Sequence, residues 1–172
     1  MTRPIVNIAD VEFQPRPAVA AVPAGAADRF EAKFARIGPL IGARQLGYNI
    51  TAVPPGKRAF PRHSHRVNEE MFFVLQGTGE VRIGAETFPL RAGDFLACPA
   101  GGPETAHQIV NTGTEELRYL AVSTQRAPEI WEYPDSQKFG VIAEFPAPGA
   151  DPTTVFRHFG RQVDAVGYWD GE

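Results

Sequence analysis

The sequence predicts an all-β protein, and three features of residues 41–124 indicate this class. Short apolar segments are separated by turns at intervals of about 8 to 12 residues, as in β-sandwiches and barrels. The turns at 54–56, 76–79, 83–86, 91–94 and 111–116 each contain glycine or proline, which suit unusual backbone angles. No segment of this region has the apolar period of an amphipathic helix. A sandwich or barrel is therefore expected.

The apolar segments between the turns are the predicted strands. In chain order they are QLGYNITAV, EMFFVL, GEVRIG, FLACP, HQIV and LRYLAVS. The segment MFFVL, residues 71–75, is apolar on both faces, whereas a strand with one face in water alternates. Its outer side therefore needs a cover, which a second sheet, the ends of the chain or another copy of the chain could supply. We expect a homodimer.

Residues 1–40 and 126–172 are expected to be extensions that pack on a barrel formed by residues 41–125. The first extension is rich in proline and alanine, and one or two helical turns are predicted at 27–37, where Phe30 and Phe34 fall on one face. The second extension ends in VFRHFGRQVDAVGYWDGE, whose aromatic residues suit an arm docked on the barrel. His158 in this arm is expected to be a packing or surface residue.

Composition excludes several classes of protein. The 172 residues carry a net charge of −3, and the scattered basic residues give no sign of a nucleic-acid partner. The beginning of the chain has no unbroken apolar run, so neither a secretory signal nor a membrane anchor is expected, and the cytoplasm is the predicted location. Cys98 is the single cysteine, which excludes an intrachain disulfide and a cysteine-based zinc cluster. It is expected to be a small buried apolar residue.

Two of the four histidines, His63 and His65, stand two residues apart, and this spacing predicts a binding site. Side chains at i and i+2 of a strand leave from the same face, so the two imidazoles point together. Converging neutral imidazoles are unfavourable in a barrel unless each finds a partner, and a divalent metal ion suits both. The next strand begins with Glu69 and Glu70, and a later one begins with His107. These residues are candidate metal ligands.

The motifs around these residues resemble the two signature motifs of the cupin superfamily. The first reads G-KRAFPR-H-S-H-RVNE-E-MFFVLQ-G over residues 56–77, and its spacing to Gly77 selects Glu70 over Glu69. The second reads G-DFLAC-PAG-GPETA-H-QIV-N over residues 93–111. The spacers KRAFPR and GPETA are longer than the family's usual ones, which alters the loops at the cavity mouth more than the ligand set.

The resemblance, which is to small single-domain bacterial cupins, extends over residues 54–124. It implies a double-stranded β-helix, a jelly-roll-like barrel with N- and C-terminal extensions, and one divalent transition metal ion, Fe, Mn, Ni or Zn. The implied ligands are His63, His65, Glu70 and His107. Four protein ligands leave one or two positions open on such an ion, as in a reactive site.

Polar residues that flank the ligands are candidates for contacts with a small-molecule ligand. They are Tyr48, Asn49, Arg62, Gln108 and Tyr119. Other polar residues receive different roles. Ser64 faces away from the two histidines, which excludes a Ser-His-Asp hydrolase, and Glu69 is expected to be solvated on the face opposite Glu70. Asn111 is expected to shape the turn that follows it.

Two functions from different classes fit these residues. One is a metal-dependent enzyme for a small polar organic molecule, either a dioxygenase with iron or an isomerase or lyase with another metal. Glu70 is the best candidate for a catalytic role beyond its ligand role. The other is a non-catalytic module that binds a sugar or small metabolite around a structural metal. The sequence has no pair of helices of the helix-turn-helix kind, which disfavours a regulatory version of this module.

Overall fold

The computed structural model describes residues 4–17, 21–146 and 151–172, and strands are the main regular secondary structure of this part of the chain. The strands are β1 Gln14–Pro15, β2 Lys33–Arg36, β3 Leu46–Val53, β4 Ser64–His65, β5 Glu70–Gln76, β6 Thr78–Ile83, β7 Glu86–Arg91, β8 Phe95–Cys98, β9 His107–Val110, β10 Leu117–Thr124, β11 Glu129–Tyr133, β12 Lys138–Ile142 and β13 Arg157–Gly160. One short α-helix, α1, spans Ile37–Ile41. No helix of these residues is long and apolar enough to cross a membrane.

The strands form two facing layers, which confirms the predicted double-sheet barrel. The first layer is a six-stranded sheet in the order β1-β2-β3-β10-β5-β8. The second consists of β7-β6-β9 and β13-β12-β11-β4. The backbones of His63 and His107 join these two pieces, since the His63 amide donates to the His107 carbonyl at 3.1 Å and the reverse bond is 2.8 Å. The candidate ligands His63 and His107 therefore lie at the junction between the two pieces of the second layer.

Apolar side chains from both layers fill the space between them. Val53 and Leu117 are fully buried, and Val74 and Val81 each expose 1% of their surface. Burial of such a side chain stabilises the fold by roughly 1.5–3 kcal/mol. Cys98 is buried and free, as expected. The core therefore lies directly beneath the site that the motifs predict.

The two faces of β5 differ in how they are covered. Phe72 and Val74 point inward and are buried, whereas Phe73 on the outer face is only half-buried. Its ring packs on Phe95 with a centroid distance of 4.4 Å, and Phe95 itself is 74% exposed. Within one chain, the outer side of the apolar segment 71–75 is therefore only partly covered.

The helical turns predicted at 27–37 are wrong for most of that segment. Residues Lys33–Arg36 form β2, which pairs with β3, and Phe30 makes a parallel bridge to Arg58. A helix shorter than about 12–15 residues is marginal without packing, whereas this strand gains a hydrogen-bonded neighbour. Pairing with Ile50 also buries Ala35, which exposes 1% of its surface. Tertiary pairing overrides the local apolar spacing here.

Both extensions contribute strands to the layers. At the N-terminal side, β1 and β2 continue the six-stranded sheet from β3, while β11, β12 and β13 continue the second layer from β4. In the C-terminal extension Phe159 stacks on Trp131 with a centroid distance of 6.2 Å. Tyr168 and Trp169 are 87% and 78% exposed, so they do not anchor the arm within one chain.

Candidate metal centre

The four predicted ligands lie at or next to the ends of three strands. Glu70 and His107 are the first residues of β5 and β9, and His65 is the last residue of β4. His63 continues β4 by one residue through its backbone pair with His107. The carbonyl of His65 also accepts a hydrogen bond of 2.7 Å from the amide of Gly101, the glycine of the second motif. Strand pairing and this turn fix the backbone of the ligands.

The glycine that ends the first motif allows the close approach of two strands. Gly77 has a φ of 81°, which favours glycine, and a Cβ built on it would lie 2.7 Å from the Glu116 carbonyl oxygen. A side chain at this position would push β5 away from the start of β10. The motif residue therefore keeps β5, which carries Glu70, in the sheet.

The side chains of the ligands converge on one carboxylate oxygen. Glu70 Oε2 lies 3.0 Å from His107 Nε2, 3.3 Å from His65 Nε2 and 4.0 Å from His63 Nε2. One ligand atom from each of His63, Glu70 and His107 lies within 4.8 Å of the other two, a geometry that could hold a metal ion. His65 enters the cluster through its short distance to Glu70.

The second nitrogen of each imidazole is held by an acceptor. Nδ1 of His63 lies 2.9 Å from the Pro61 carbonyl oxygen, and Nδ1 of His107 lies 3.4 Å from that of Thr105. A carbonyl only accepts, so these Nδ1 atoms carry the hydrogen and each Nε2 of a neutral ring presents its lone pair. The Nε2 atoms face Glu70. A metal ion between these lone pairs and the carboxylate would satisfy both; without an ion, a ring donates a hydrogen bond to Glu70 only when it is also protonated at Nε2.

The pKa values of the cluster reflect the same demand for positive charge. Burial raises the pKa of Glu70, but the hydrogen bonds from His107 and His65 outweigh it and hold that pKa well below its usual range. Burial lowers the pKa of His65, yet its hydrogen bonds to Glu129 and Glu70 raise it to about 9. For His63, burial and the neighbouring His107 lower the pKa to about 4. One histidine is stabilised as a cation and its neighbour as a neutral ring.

Glu129 is a functional residue that the motifs do not include. Its side chain is fully buried, and its Oε2 lies 3.3 Å from Nδ1 of His65. It also accepts hydrogen bonds from the backbone amides of Val67 at 3.1 Å, Asn68 at 3.0 Å and Ile130 at 2.8 Å, and from the Asn68 side chain. A carboxylate behind a ligating histidine fixes the ring and raises its basicity. The one signal in the sequence is Glu129 itself, which is one of two glutamates among the apolar and aromatic residues of EIWEY.

Of the predicted substrate residues, Tyr119 and Gln108 lie beside the cluster. They line a cavity of about 20 Å³ together with His63, His107 and Phe72. A space of this size admits roughly one water molecule. Tyr119 exposes 2% of its surface, and burial raises the pKa of its phenol, which keeps the hydroxyl protonated.

The other predicted substrate residues lie away from this cavity. Asn49 faces the inner side of β3, where its Oδ1 accepts a hydrogen bond of 2.7 Å from Thr51. Tyr48, the next residue back along the strand, points to the opposite side of the sheet. Arg62 is buried and donates to Asp135 at 3.1 Å and to the Gly84 carbonyl at 2.7 Å. The structure brings neither Tyr48 nor Arg62 to the cluster.

The residues excluded from the site on sequence grounds are placed as expected. Ser64 is buried on β4, where its Oγ has no hydrogen-bond partner among the described residues, and Glu69 is exposed. His158 is exposed on β13. Asn111 is fully buried, donates to the carbonyls of Val53 and Glu115, and accepts from the Gly113 amide, so it does shape its turn.

The donor set defines which ions the site could hold. Three imidazole nitrogens and one carboxylate oxygen suit divalent first-row ions, and nothing in this set selects among them. Such ions bind imidazole nitrogen at about 2.0–2.1 Å and often take five or six ligands, so positions would stay open toward the cavity. Open positions on an ion allow it to polarise a bound substrate.

Comparison with known protein families and curated proteins agrees with this geometry. Residues 49–123 match the family model described as the cupin domain. The chain is 34% identical over 89 residues to the polyketide synthase CurC of Streptomyces cyaneus, which covers 52% of this chain and 55% of that protein. It is 33% identical over 70 residues to the oxalate-binding protein of Thermotoga maritima, covering 41% and 54%. The chain thus spans about half the length of the curated relatives it matches.

Solved structures extend the likeness beyond the motifs. A putative sugar phosphate isomerase from Acidithiobacillus ferrooxidans is 25% identical, with a TM-score of 0.66 and 80% of each chain covered. A sugar phosphate isomerase from Silicibacter pomeroyi is 24% identical, with a TM-score of 0.75 and coverage of 97% and 98%. The second likeness shows that the fold, including both extensions, is shared over nearly the whole chain.

Proposed function

We propose that this chain, which carries a cupin domain over residues 49–123, is a metal-dependent enzyme that acts on a small polar organic molecule. The convergence of three histidine Nε2 atoms on Glu70 carries the proposal. A divalent ion held by His63, His65, Glu70 and His107 would act as a Lewis acid on the substrate. The protein residues hold this ion, exclude water from its surroundings and orient the substrate.

Chemistry of the isomerase or lyase type is the better supported reaction class. The putative sugar phosphate isomerase from Acidithiobacillus ferrooxidans shares 25% identity over 80% of this chain, so the likeness includes more than the motifs. Tyr119 and Gln108 border the cavity beside the ligands. The protonated phenol of Tyr119 would hydrogen-bond to substrate oxygens, whereas the Gln108 side chain donates to the Phe60 carbonyl at 2.8 Å. Dioxygenase chemistry would require iron and dioxygen at the same open positions.

A non-catalytic binding module is the second candidate, and a likeness to a curated binding protein favours it. One curated relative is an oxalate-binding protein. In this alternative the metal is a structural clamp, and a ligand binds without turnover.

Metal analysis followed by turnover separates these functions. Protein purified without added metal or chelator should contain a divalent first-row metal ion at near-stoichiometric amount by elemental mass spectrometry, and a His63→Ala/His65→Ala variant should lose it. The matched control is His158→Ala, which removes an exposed histidine outside the cluster. Wild-type protein that also fails to take up added metal would overturn both candidate functions.

Turnover is the second readout. The metal-loaded protein should isomerise sugar phosphates or consume a related substrate, and Glu70→Ala should abolish this activity. A loaded protein that binds such molecules without converting any of them would support the binding module.

We also propose that the protein is a homodimer that covers the outer face of β5. Phe95, 74% exposed and packed on Phe73, marks this face. Phe95→Glu should convert a dimer to a monomer in light scattering after size exclusion. The matched control is Phe88→Glu on β7, in the other layer, where Phe88 is 43% exposed. A wild-type monomer at micromolar concentration would contradict the proposal. The cytoplasmic location stays a prediction.

A further inference from the structure

Arg16 occupies a particular position at the edge of the barrel. It follows β1, and its guanidinium carbon lies 5.0 Å from the ring centroid of Phe34 and 4.8 Å from that of Phe60. Its Nη2 donates a hydrogen bond to the carbonyl of Ala59, which is buried. The arginine therefore bridges the six-stranded sheet and the segment that leads into His63.

The charge of Arg16 has no anionic partner. Among residues 4–17, 21–146 and 151–172, no carboxylate forms an ion pair with its guanidinium. The side chain is half-buried, and burial lowers its pKa, although an arginine stays charged in proteins. A partly desolvated cation without a counter-charge is unfavourable. An anionic ligand that bound beside Arg16 would therefore stabilise the guanidinium at this position.

Arg16 also borders the metal centre. Phe34, Thr51 and Tyr119 stand side by side across β2, β3 and β10, so their side chains share the inner face of the sheet. Phe60, on the other side of the guanidinium, lies 6.2 Å from His63 between ring centroids, and both Phe60 and Tyr119 line the cavity beside the ligands. The Arg16 charge is near enough to Tyr119 to act on the pKa of that phenol.

A second and much larger cavity lies on the outer side of Arg16. It measures about 1270 Å³, is open to solvent, and lies among the N-terminal arm, β2 and α1, with Ile5, Val11, Phe34, Arg36 and Leu40 among its walls. Asp10 and Glu12 also line it, but neither pairs with Arg16. Arg16 and Phe34 thus lie between this large cavity and the small cavity at the ligands. A substrate that enters through the large cavity would meet the guanidinium before the metal.

We propose that Arg16 binds the anionic group of the substrate, and that the substrate is a small organic anion bearing a carboxylate or a phosphate. This inference rests on the proposed function, since it assigns a substrate class to the same metal centre. The planar guanidinium keeps donors free beyond its bond to Ala59, and a fork of two donors matches carboxylate and phosphate oxygens. The aromatic rings of Phe34 and Phe60 hold the guanidinium flat and restrict its rotation.

The test uses three small molecules that share a hydroxylated three-carbon skeleton and differ in the charged group at one end. Cobalt-loaded full-length protein is titrated calorimetrically with glycerate, glycerol 3-phosphate and glycerol at low salt. Wild type should bind one of the two anions and not glycerol, and the anion that binds identifies the group. Arg16→Gln should weaken this affinity by about 10- to 100-fold, as expected for loss of a charge-assisted hydrogen-bonding pair. Arg16→Lys should retain part of it, because the charge stays and the fork is lost.

Two controls separate a binding role from a structural one. Arg29→Gln removes an equal charge from the same extension at an exposed arginine paired with Asp28, and it should leave anion affinity unchanged. Cobalt affinity is measured in each variant by competition with a chelator. If Arg16 only held the N-terminal arm in place, both Arg16→Gln and Arg16→Lys should lower the thermal unfolding temperature. Anion affinity would then fall equally in the two variants, although only Arg16→Lys keeps the positive charge.

Each outcome decides a distinct question. Equal anion affinity in wild type and Arg16→Gln, with cobalt bound normally in both, overturns the role of Arg16 and leaves the metal centre intact. Binding of neither anion to the cobalt-loaded wild type overturns the substrate class. A wild type that takes up no cobalt overturns the proposed function itself, and the inference falls with it.

Discussion

His63 and His107 are held by the segments that carry them, whereas His65 is held by a residue from another part of the chain. The Nδ1 atoms of the first two face carbonyls only two residues before them in sequence. The Nδ1 of His65 faces Glu129, which lies 64 residues later. Local support cannot be removed by a side-chain change, since the acceptor is backbone. Long-range support depends on one carboxylate and on the strand β11 that carries it.

The largest effect that separates the two kinds of support is expected from Glu129→Ala. The change removes the acceptor of three backbone amides and the Asn68 side chain, leaves His65 without its buried partner, and should cost about 3–5 kcal/mol in free energy of unfolding. Urea unfolding of the metal-free protein measures this loss. Glu132→Ala on the same strand, whose partner Arg66 is exposed, is the control and should cost less than about 1 kcal/mol. Equal costs at the two positions would contradict the special role of Glu129.

A second change keeps the packing and removes only the charge behind His65. Glu129→Gln should weaken metal affinity by about 10- to 100-fold, the usual effect of losing a carboxylate that orients a ligating histidine. Chelator competition gives the affinity. Thr105→Ala keeps the carbonyl that holds His107 and should change affinity by less than about 3-fold. If Glu129→Gln and Thr105→Ala both had wild-type metal affinity, the Glu129 carboxylate would not be needed to orient the ring of His65.

The pH dependence of the metal-free protein gives a third test. The pKa of His65 is raised to about 9, above its ordinary 6.5, so its contribution is complete below 6.5 and is lost as pH rises through 9. The pKa of His63 is lowered to about 4, so its contribution is present above 6.5 and is lost as pH falls toward 4. Unfolding temperature should therefore peak near pH 6.5.

Each limb of this profile should correspond to about 1–3 kcal/mol. Glu129→Gln should flatten the alkaline limb alone, because that limb belongs to the histidine with long-range support. An unfolding temperature that rises steadily from pH 6.5 to 9 would contradict the raised pKa of His65.

The smallest effect is expected from Ser64→Ala. Ser64 stands between His63 and His65 in sequence, and its buried hydroxyl has no hydrogen-bond partner in the part of the chain that the structure describes. Its removal should leave metal affinity unchanged and stabilise the fold by about 0–1 kcal/mol, since a desolvated hydroxyl disappears. Chemical unfolding and chelator competition check both quantities. A loss of turnover in this variant would return the hydroxyl to consideration as a reactive group.

The gathering of the four candidate ligands was predictable from strand geometry together with the resemblance to the cupin motifs. His63 and His65 share a face by alternation, and the spacing to Gly77 in the first cupin motif distinguishes Glu70 from its neighbour Glu69. Glu129 was not predictable, because its partner lies 64 residues away and no local pattern encodes that contact. The strand at 33–36 was missed for a similar reason, since its pairing with β3 outweighs the local apolar spacing. Arg16 was not predicted, because a single arginine in a proline-rich segment forms no spacing pattern with the candidate ligands.

The dependence of His65 on Glu129 sets an order of events during synthesis. A chain emerging from the ribosome exposes all four candidate ligands once residue 107 is free, but Glu129, which orients His65, follows 22 residues after His107. At roughly 5–20 residues per second this interval lasts about 1 to 4 seconds. During that time the nascent site is open to whichever ion it meets first, with one imidazole still free to turn. Final selectivity for a metal would then be established by the arrival of β11, after the barrel strands themselves have been made.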